Sequence, residues 1–578
     1  MAQSLITRLN TAFSSGSPQQ VAALFRSDGY LKDILCLQWD YRAPQTPGNI
    51  EKFLNECGMS KEKTIKNFTL EPASVADNDS FPGVPWLMGF FTFETNVGRG
   101  RGVFRLHKDG SQQPKLHALF LGLEELKGHE EKKGSLRIRG TEYGEERGKA
   151  TWQEKRERKK EFLDEEPAVA IVGAGQSGLM LAYRLGQLGV PTVILDRNPR
   201  IGDNWRNRYK SLVLHDPVHY DHMAGLPFPA HWPIYTAKDK LANWFEFYAE
   251  TMELNAWMGT SIDRTSFDEA KGEWTVDVTR ADGSKRTIHP KHMCLATGHS
   301  GEMNKPTFKG QENFKGPVVH SSEFTSGDKY QGKRALVVGA NNSGQDLSVN
   351  LCEHGWHVTQ QQRSSTYVMS VRAVEEVLLK GLYSEDGPPT EDADLIFNSS
   401  PNPMHLPVQK VVADKMATGI DKDIIAKLQK AGFNWGKGVG DAGFLYSYYS
   451  KGGGYYLATG SEDYISDGRI KMKQGVEIDH MTSDGVVFSD GSELQCDLIV
   501  LATGYLNMRT SAMKILGEKE GSKFNPVWGL DDEGELRVAW RPTGHSNGWI
   551  QCGNLALNRW HSKKLALQIK ARLEGIAQ

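Results

Sequence analysis

The stretch AVAIVGAGQSG, residues 168–178, decides the fold of this 578-residue chain. A short apolar strand leads into a G-x-G-x-x-G turn. After the turn, residues Leu179 to Leu188 have apolar side chains at helical spacing. A second apolar run, from Thr192 to Leu195, ends in Asp196. Strand, glycine turn, helix, strand and acid in this order predict a unit that binds a dinucleotide.

Each residue type in this unit has a physical role. Gly173 allows the tight turn, Gly175 lets the backbone approach a pyrophosphate, and Gly178 lets the helix pack closely on the strand. The free N–H groups and the dipole of the helix N-terminus favour the phosphates, and the acid binds ribose hydroxyls. The predicted cofactor-binding residues here are Gly173, Gly175, Gln176, Ser177, Gly178, Asp196 and Arg197.

A second unit of the same kind follows the strand Ala335 to Val338. Asn341 stands where the middle glycine is expected, and because asparagine tolerates left-handed conformations we expect the turn to survive. Arg363 and Ser364 follow the next strand in place of an acid, which suits a 2′-phosphate and favours NADPH over NADH. The predicted binding residues are Gly339, Asn341, Asn342, Ser343, Gly344, Arg363 and Ser364.

Two such units in one chain predict an α/β protein with two Rossmann-like domains, FAD in the first and NADPH in the second. Residues 295–298 (LATG) and 501–505 (LATGY) flank the second unit like crossings between domains, so the NADPH domain is predicted to be inserted into the FAD domain. The predicted domains are an α+β domain at 1–125, a charged linker at 126–166, the FAD domain at 167–330 and 498–578, and the NADPH domain at 331–497 with an insertion at about 375–455 that covers the substrate path.

The amino-terminal segment reads as a small cone. Helical spacing at 5–13, 21–25 and 49–55 precedes strand-like runs at 86–95, 102–107 and 116–123, an order that resembles the nuclear-transport-factor-2-like (SnoaL-like) cone. Asp33 and Asp40 are predicted to be ordinary solvated acids. Both glycine turns lie beyond the cone, so it is not expected to be needed for flavin reduction; a homodimer remains open.

Composition excludes several classes of function. Lys and Arg (69) balance Asp and Glu (71), so no nucleic-acid partner is expected. Six cysteines without a C-x-x-C pair argue against a zinc site and against the dithiol of a disulfide reductase. No apolar run is long enough for a membrane span and no secretory signal is present, so a cytoplasmic protein is expected.

The segment FKGPVVHSSEF, residues 314–324, matches the pattern F-x-G-x-x-x-H-x-x-x-(F/Y) that is specific to flavin-containing monooxygenases. GAGQSG, GDNW at 202–205, this segment, GANNSG and LATGY occur in the order of that family. From about residue 168 onward the chain resembles class B flavin-dependent monooxygenases, and among them the YUCCA-type and fungal enzymes, as KSLVLH at 210–215 supports.

The resemblance implies that NADPH reduces FAD, that a flavin C(4a)-hydroperoxide forms with O₂, and that one oxygen atom passes to a small amine, thioether or 2-oxo acid. It places Gly202, Asn204 and Trp205 on the flavin side and Thr503 and Gly504 at the crossing. His215 is the candidate catalytic residue beside the isoalloxazine, with a purely structural role equally open, and His320 is expected to be structural. An NADPH oxidase that releases hydrogen peroxide and an electron-transferring flavoprotein remain as alternatives.

Overall fold

The computed structural model describes residues 1–78, 86–108, 110, 113–140, 150–298 and 301–577. Two five-stranded parallel sheets, one for each glycine turn, confirm the predicted α/β class. In spatial order the first sheet contains Gly548–Ile550, His292–Leu295, Val169–Val172, Thr192–Leu195 and Ala256–Trp257. The second contains Val318–His320, Leu498–Leu501, Arg334–Val338, His357–Gln362 and Ile470–Gln474.

Each sheet carries helices and a smaller antiparallel sheet. The helix after the first turn, Gln176–Gln187, packs against the long helix Leu555–Leu573, and Asn342–Glu353 follows the second turn. The helix Lys238–Thr251 lies before the strand Ala256–Trp257. The antiparallel strands are Ser261–Asp268, Glu273–Thr279 and Lys285–Ile288 in the first unit, and Ile478–Met481, Gly485–Phe488 and Glu493–Gln495 in the second.

The chain between Tyr367 and Ala458 forms a helical insertion on the second unit. Its two ends pair as parallel strands, Tyr367–Ser370 with Tyr455–Ala458. Between them lie the helices Thr390–Asn398, Asn402–Thr418, Lys422–Lys430 and Gly443–Lys451. Asp394 is one of the residues that hold the insertion to the rest of the protein: its buried carboxylate accepts two hydrogen bonds from Arg559 at 2.6 and 2.7 Å.

The amino-terminal domain is a six-stranded sheet flanked by the helices Ala2–Ser14, Pro18–Ala22 and Pro47–Glu56. The helix predicted at 21–25 is wrong in part: it ends at Ala22, because the chain then enters the strand Phe25–Ile34, where apolar residues pack on both faces. That strand and Lys66–Asn78 were not predicted. The other strands are Tyr41–Arg42, Trp86–Glu94, Gly98–His107 and Leu116–Leu126.

This domain docks on the first unit through a buried, partly charged interface. Lys32 and Glu535, both almost fully buried, form an ion pair of 2.9 Å. Lys564, on the long helix Leu555–Leu573, donates to Glu124 at 2.6 Å and to the carbonyl of Leu123 at 2.7 Å. A buried charge without such a partner is costly, so the contact fixes the two parts against each other.

Asp33 and Asp40 are not the solvated acids that the sequence suggested. Asp33 is fully buried and both of its oxygens accept from the amide of Leu37 at 3.2 Å; burial raises its pKa to about 7. Asp40 accepts from Arg541 at 2.8 Å across the interface. Both positions are structural in the docked domain.

The described part of the predicted charged linker contains the short 3-10 helix Gly134–Leu136 and the α-helix Trp152–Lys160, which starts with a capping box formed by Thr151 and Glu154. Residues 141–149 of the linker lie outside the described residues. Among the described residues, no helix combines the length and the apolar character needed to cross a membrane.

Candidate active site

The first glycine turn is built as the spacing predicted. Gly173 has a φ of +113°, and a Cβ there would lie 2.4 Å from the carbonyl oxygen of Ala296. A Cβ at Gly178 would lie 1.9 Å from the carbonyl oxygen of Gly173, so this glycine is required where the helix crosses the strand. Gly175 faces Asn204: a Cβ at residue 175 would lie 3.1 Å from the side-chain nitrogen Nδ2 of Asn204. A side chain at 175 would fill the space that a pyrophosphate needs.

The helix Gln176–Gln187 begins without a side-chain cap on its N-terminal N–H groups. Such groups need a partner, and together with the helix dipole they favour an anion. Asp196 lies beside the turn at the end of the next strand; its carboxylate accepts from the amides of Ala174 at 2.7 Å and Asn198 at 2.8 Å. Arg197 follows, exposed. The residues present fit a dinucleotide phosphate here.

The second turn repeats this geometry. Gly339 has a φ of +119°, and a Cβ at Gly344 would lie 2.2 Å from the carbonyl oxygen of Gly339. Asn341 has φ −91° and ψ −177°, close to the φ −85° and ψ −174° of Gly175. The expectation that Asn341 uses the left-handed tolerance of asparagine is therefore wrong, since the middle position of this turn is extended. The helix Asn342–Glu353 also starts without a side-chain cap.

The residues predicted to hold the 2′-phosphate directly follow the strand His357–Gln362 of the second unit. Arg363 is 74% exposed and pairs at 3.5 Å with Glu477, which is 66% exposed. Ser364 next to it is exposed as well. At the start of the helix, Ser343 is half-buried, whereas the side chain of Asn342 accepts from the amide of Leu457 at 2.8 Å and thereby ties the turn to the insertion.

Thr503 and Gly504 lie in the second crossing, residues 501–505, and both form hydrogen bonds to other parts of the chain. The hydroxyl of Thr503 donates to the carbonyl of Asn304 at 2.5 Å. The carbonyl of Gly504 lies 2.9 Å from Nε2 of the buried His320, whose Nδ1 lies 2.8 Å from the hydroxyl of Ser322. Burial lowers the pKa of His320. These contacts tie the second crossing to the segment between Asn304 and His320 rather than forming a reactive centre.

Of the GDNW residues, the structure places the side chain of Asn204 at the first turn. Asn204 reaches Gly175, and the half-buried indole of Trp205 has a buried Nε1 that finds no hydrogen-bond partner among the described residues. Gly202 does not face the turn: it has a φ of +90°, and a Cβ there would lie 2.5 Å from the carbonyl of Ala242. Its part is to let this loop pack on the helix Lys238–Thr251.

His215 reaches the second unit. Its Nε2 lies 3.9 Å from Oδ2 of Asp346, on the helix that follows the second turn. Tyr209 donates a hydrogen bond to the same carboxylate, and burial raises the pKa of Asp346. The loop that carries His215 thus spans from the first unit to the second. Sequence patterns gave no sign of Asp346, because it lies 131 positions beyond His215.

A further helix terminus meets the first turn. Asn554 caps the helix Leu555–Leu573 by accepting from the amide of Leu557 at 3.0 Å. Gly553 before it has a φ of +114°, and its carbonyl lies 3.5 Å from the side-chain amide of Gln176. The Gly-Asn pair ahead of an apolar helix was the signal that could have found this terminus.

The sequence profile of a family described as flavin-binding monooxygenase-like matches residues 166–378. The indole-3-pyruvate monooxygenase YUCCA1 of rice is 32% identical over 360 residues, which cover 61% of this chain and 80% of that protein. The chain belongs to the flavin-binding monooxygenase-like family. The predicted flavin-dependent, YUCCA-like monooxygenase is thereby confirmed, together with its flavin cofactor.

Other relatives and structures are similar to this monooxygenase. A probable indole-3-pyruvate monooxygenase of Arabidopsis, YUCCA3, is 31% identical over 353 residues, 60% of this chain and 74% of that protein. A flavin monooxygenase mutant of Stenotrophomonas maltophilia has 18% identity and a TM-score of 0.47, over 70% of this chain and 98% of that chain. A cyclohexanone monooxygenase of Rhodococcus, solved with NADP⁺, has 15% identity and a TM-score of 0.48, over 70% and 84%.

Proposed function

We propose that this monooxygenase uses FAD and NADPH to insert one oxygen atom from O₂ into a small organic substrate, an amine, a thioether or a 2-oxo acid. The observation that carries the proposal is the repeated glycine turn. Gly173 and Gly178 in one unit, and Gly339 and Gly344 in the other, each open onto a helix whose first N–H groups have no side-chain cap. Two dinucleotides fit two such turns.

The assignment of each dinucleotide follows from the residue at the end of the second strand of its unit. Asp196 in the first unit suits ribose hydroxyls, as FAD presents them. Arg363 and Ser364 in the second unit suit the 2′-phosphate of NADPH. When bound, the flavin supplies the chemistry of hydride uptake and oxygen activation. The protein orients both cofactors and shields them from water.

His215 is the proposed catalytic residue of this arrangement. Its imidazole is half-buried and stands between the two units, within 3.9 Å of Asp346. An imidazole N–H can donate a hydrogen bond to an oxygen atom bound at the junction, and such a fixed donor is effective where water is excluded. The domain boundaries given above, a fungal type of enzyme and a cytoplasmic location remain proposals of the same kind.

The test is a screen of NADPH consumption by the FAD-loaded protein with amines, thioethers and 2-oxo acids, in which hydrogen peroxide and product are measured together. We expect oxygenated product close to one per NADPH with the right substrate. NADPH consumption that yields only hydrogen peroxide with every substrate would favour the oxidase alternative. Release of FMN rather than FAD on denaturation would contradict the cofactor assignment.

A further inference from the structure

The loop that carries His215 is held by Arg559, a buried residue of the long helix Leu555–Leu573. The Nη1 atom of Arg559 donates to the carbonyl oxygen of Tyr220 at 2.8 Å and to that of His222 at 2.6 Å. These two residues follow His215 by five and seven positions. Arg559 therefore fixes the backbone of the loop close to the proposed catalytic residue.

The loop is short and stiff between His215 and these two carbonyls. Pro217 has a fixed φ, and its carbonyl accepts from the amides of Tyr220 at 3.0 Å and of Asp221 at 3.2 Å. These bonds belong to a single helical turn, Val218–Asp221. A displacement of this turn would therefore move His215 as well.

The remainder of the Arg559 guanidinium binds the insertion. Its Nε and Nη2 atoms donate to the two oxygens of Asp394 at 2.7 and 2.6 Å, and the hydroxyl of Tyr383 donates to the same carboxylate at 2.8 Å. A planar guanidinium that binds a carboxylate with two parallel bonds has its orientation fixed by that carboxylate. Asp394 lies on the helix Thr390–Asn398, so the position of this helix sets the position of the loop.

The amino-terminal domain binds the same helix through two arginines of its sheet. Arg101 donates to Asp392 at 2.5 Å. The buried Arg105 donates to the carbonyl of Ile396 at 3.2 Å and to the hydroxyl of Ser399 at 2.9 Å. A buried guanidinium needs such acceptors, because an unpaired buried charge is costly. In sequence, the two contacts flank the carboxylate of the insertion described above.

We propose that the amino-terminal domain positions the loop of His215, and that the helix Thr390–Asn398 and Arg559 connect the two. The inference rests on the proposed function, in which His215 is the catalytic residue, and deepens it. Arg559, Arg101 and Arg105 are then positioning residues, since they act through the loop and the helix that they bind. A reacting group that is misplaced by about 1 Å can lose about a hundredfold in rate.

This connection would affect the two halves of the reaction differently. Neither glycine turn supplies a residue to it, so hydride transfer from NADPH to the flavin should not depend on it. The step that His215 assists comes after flavin reduction. A weakened contact between the amino-terminal domain and the insertion should therefore spare flavin reduction and divert turnover to hydrogen peroxide.

The direct test is hydrogen–deuterium exchange, measured by mass spectrometry on the FAD-loaded full chain. Arg101→Ala removes a half-buried ion pair with the insertion, and we expect residues 217–222 to exchange about two- to fivefold faster in this variant. Arg559→Lys keeps the charge beside Asp394 but loses the planar fork. It should accelerate exchange of the same residues at least about tenfold.

Arg99→Ala is the matched control. Arg99 lies two positions before Arg101 on the same strand, and it pairs with Glu125 and Glu130 of its own domain instead of the insertion. This variant should leave exchange of residues 217–222 unchanged. Equal acceleration in both variants of this strand would overturn the inference, and so would unchanged exchange in Arg101→Ala. Should Arg559→Lys not fold, this comparison still decides.

Coupling of NADPH consumption to oxygenation gives an independent readout. Arg101→Ala should raise the hydrogen peroxide released per NADPH about two- to fivefold and leave the rate of flavin reduction unchanged. In a His215→Ala background it should add nothing, because both changes then act through the same group. Additive effects would overturn the inference. Accelerated exchange in Arg101→Ala, together with a wild type that oxygenates no substrate, would count against the proposed function instead.

Discussion

Arg363 is available for a ligand because its own ion pair is weak. The partner Glu477 is 3.5 Å away and both side chains are mostly exposed, a situation worth only about 0–1 kcal/mol. A guanidinium–phosphate contact is worth about 1.5–3 kcal/mol. Arg363→Ala should therefore raise the KM for NADPH by about ten- to a hundredfold and leave the KM for NADH nearly unchanged, as measured by steady-state kinetics.

Arg158→Ala is a suitable control for this prediction, because Arg158 of the linker helix is also exposed and pairs with the exposed Asp164 beyond the end of that helix. It should change neither KM. An equal loss with both coenzymes in Arg363→Ala would show that Arg363 supports the fold rather than the 2′-phosphate.

His215 gives a second prediction at this scale. Removing a fixed hydrogen-bond donor from a site that excludes water costs about a hundredfold in the step that it assists. His215→Ala should keep reduction by NADPH nearly normal but divert turnover to hydrogen peroxide, measured as the ratio of peroxide to NADPH consumed. The exposed His231, changed to alanine, should leave this ratio unchanged. An unaltered ratio in His215→Ala would leave His215 a structural role only.

The strand–turn–helix element is the unit that the sequence predicts best. Its determinants lie within six positions of one another, and the observed φ of Gly173 and the close contact at Gly178 are what the spacing requires. The strands of the amino-terminal domain were harder to predict. In Phe25–Ile34 the last six residues are all buried, so the alternation that marks a strand is absent.

Three glycines test these elements. Gly178→Ala would place a Cβ 1.9 Å from a backbone oxygen and should abolish flavin binding, measured as flavin retained per protein. Gly344→Ala, with a corresponding distance of 2.2 Å, should retain the flavin but lose reduction by NADPH. Gly186 is in the same helix as Gly178 and its Cβ would meet nothing within 4 Å, so Gly186→Ala should keep the flavin and gain up to about 1 kcal/mol.

Loss of flavin in Gly186→Ala as well would mean that the helix, rather than its contact with the strand, is sensitive to change. Flavin loss in Gly344→Ala would contradict the assignment of the second turn to NADPH. Circular dichroism of each variant separates a binding defect from general unfolding.

At the scale of the whole molecule, the decisive contacts join residues that are far apart in sequence. Asp394 binds Arg559, His215 faces Asp346, and Lys564 binds Glu124. None of these pairs belongs to a motif, and one sequence offers no means of matching one charged residue with another more than a hundred positions away. The two Rossmann-like units and the presence of an insertion were predictable, whereas the contacts by which the insertion and the amino-terminal domain pack on these units were not.

A substitution of Arg541 tests how firmly the amino-terminal domain is docked on the first unit. It donates to Asp40 at 2.8 Å, to Asp531 at 2.7 Å and to the carbonyl of Tyr41 at 3.0 Å, and only 10% of its side chain is exposed. Breaking a buried pair typically costs about 3–5 kcal/mol, so Arg541→Ala should lower the free energy of unfolding by about that much in a denaturant titration.

Arg99→Ala, which removes an exposed ion pair with Glu125 in the same domain, should cost less than about 1 kcal/mol. A small effect of Arg541→Ala would mean that the domain is loosely attached. The expectation that a chain starting near Thr151 still accepts electrons from NADPH stays a prediction. Such a chain would lack Glu124, so Lys564, which is buried in the present structure, would lose this partner.

The strand Gly548–Ile550 at the edge of the first sheet has a consequence for synthesis. It pairs with His292–Leu295, which leaves the ribosome about 250 residues earlier. At about 5–20 residues per second, the sheet that carries the first glycine turn waits at least about ten seconds for its last strand and for the helix that covers it. During this time the amino-terminal domain has no partner surface to dock on. A nascent chain of this protein therefore depends on chaperones more than its finished stability would suggest, and its yield should respond to translation speed.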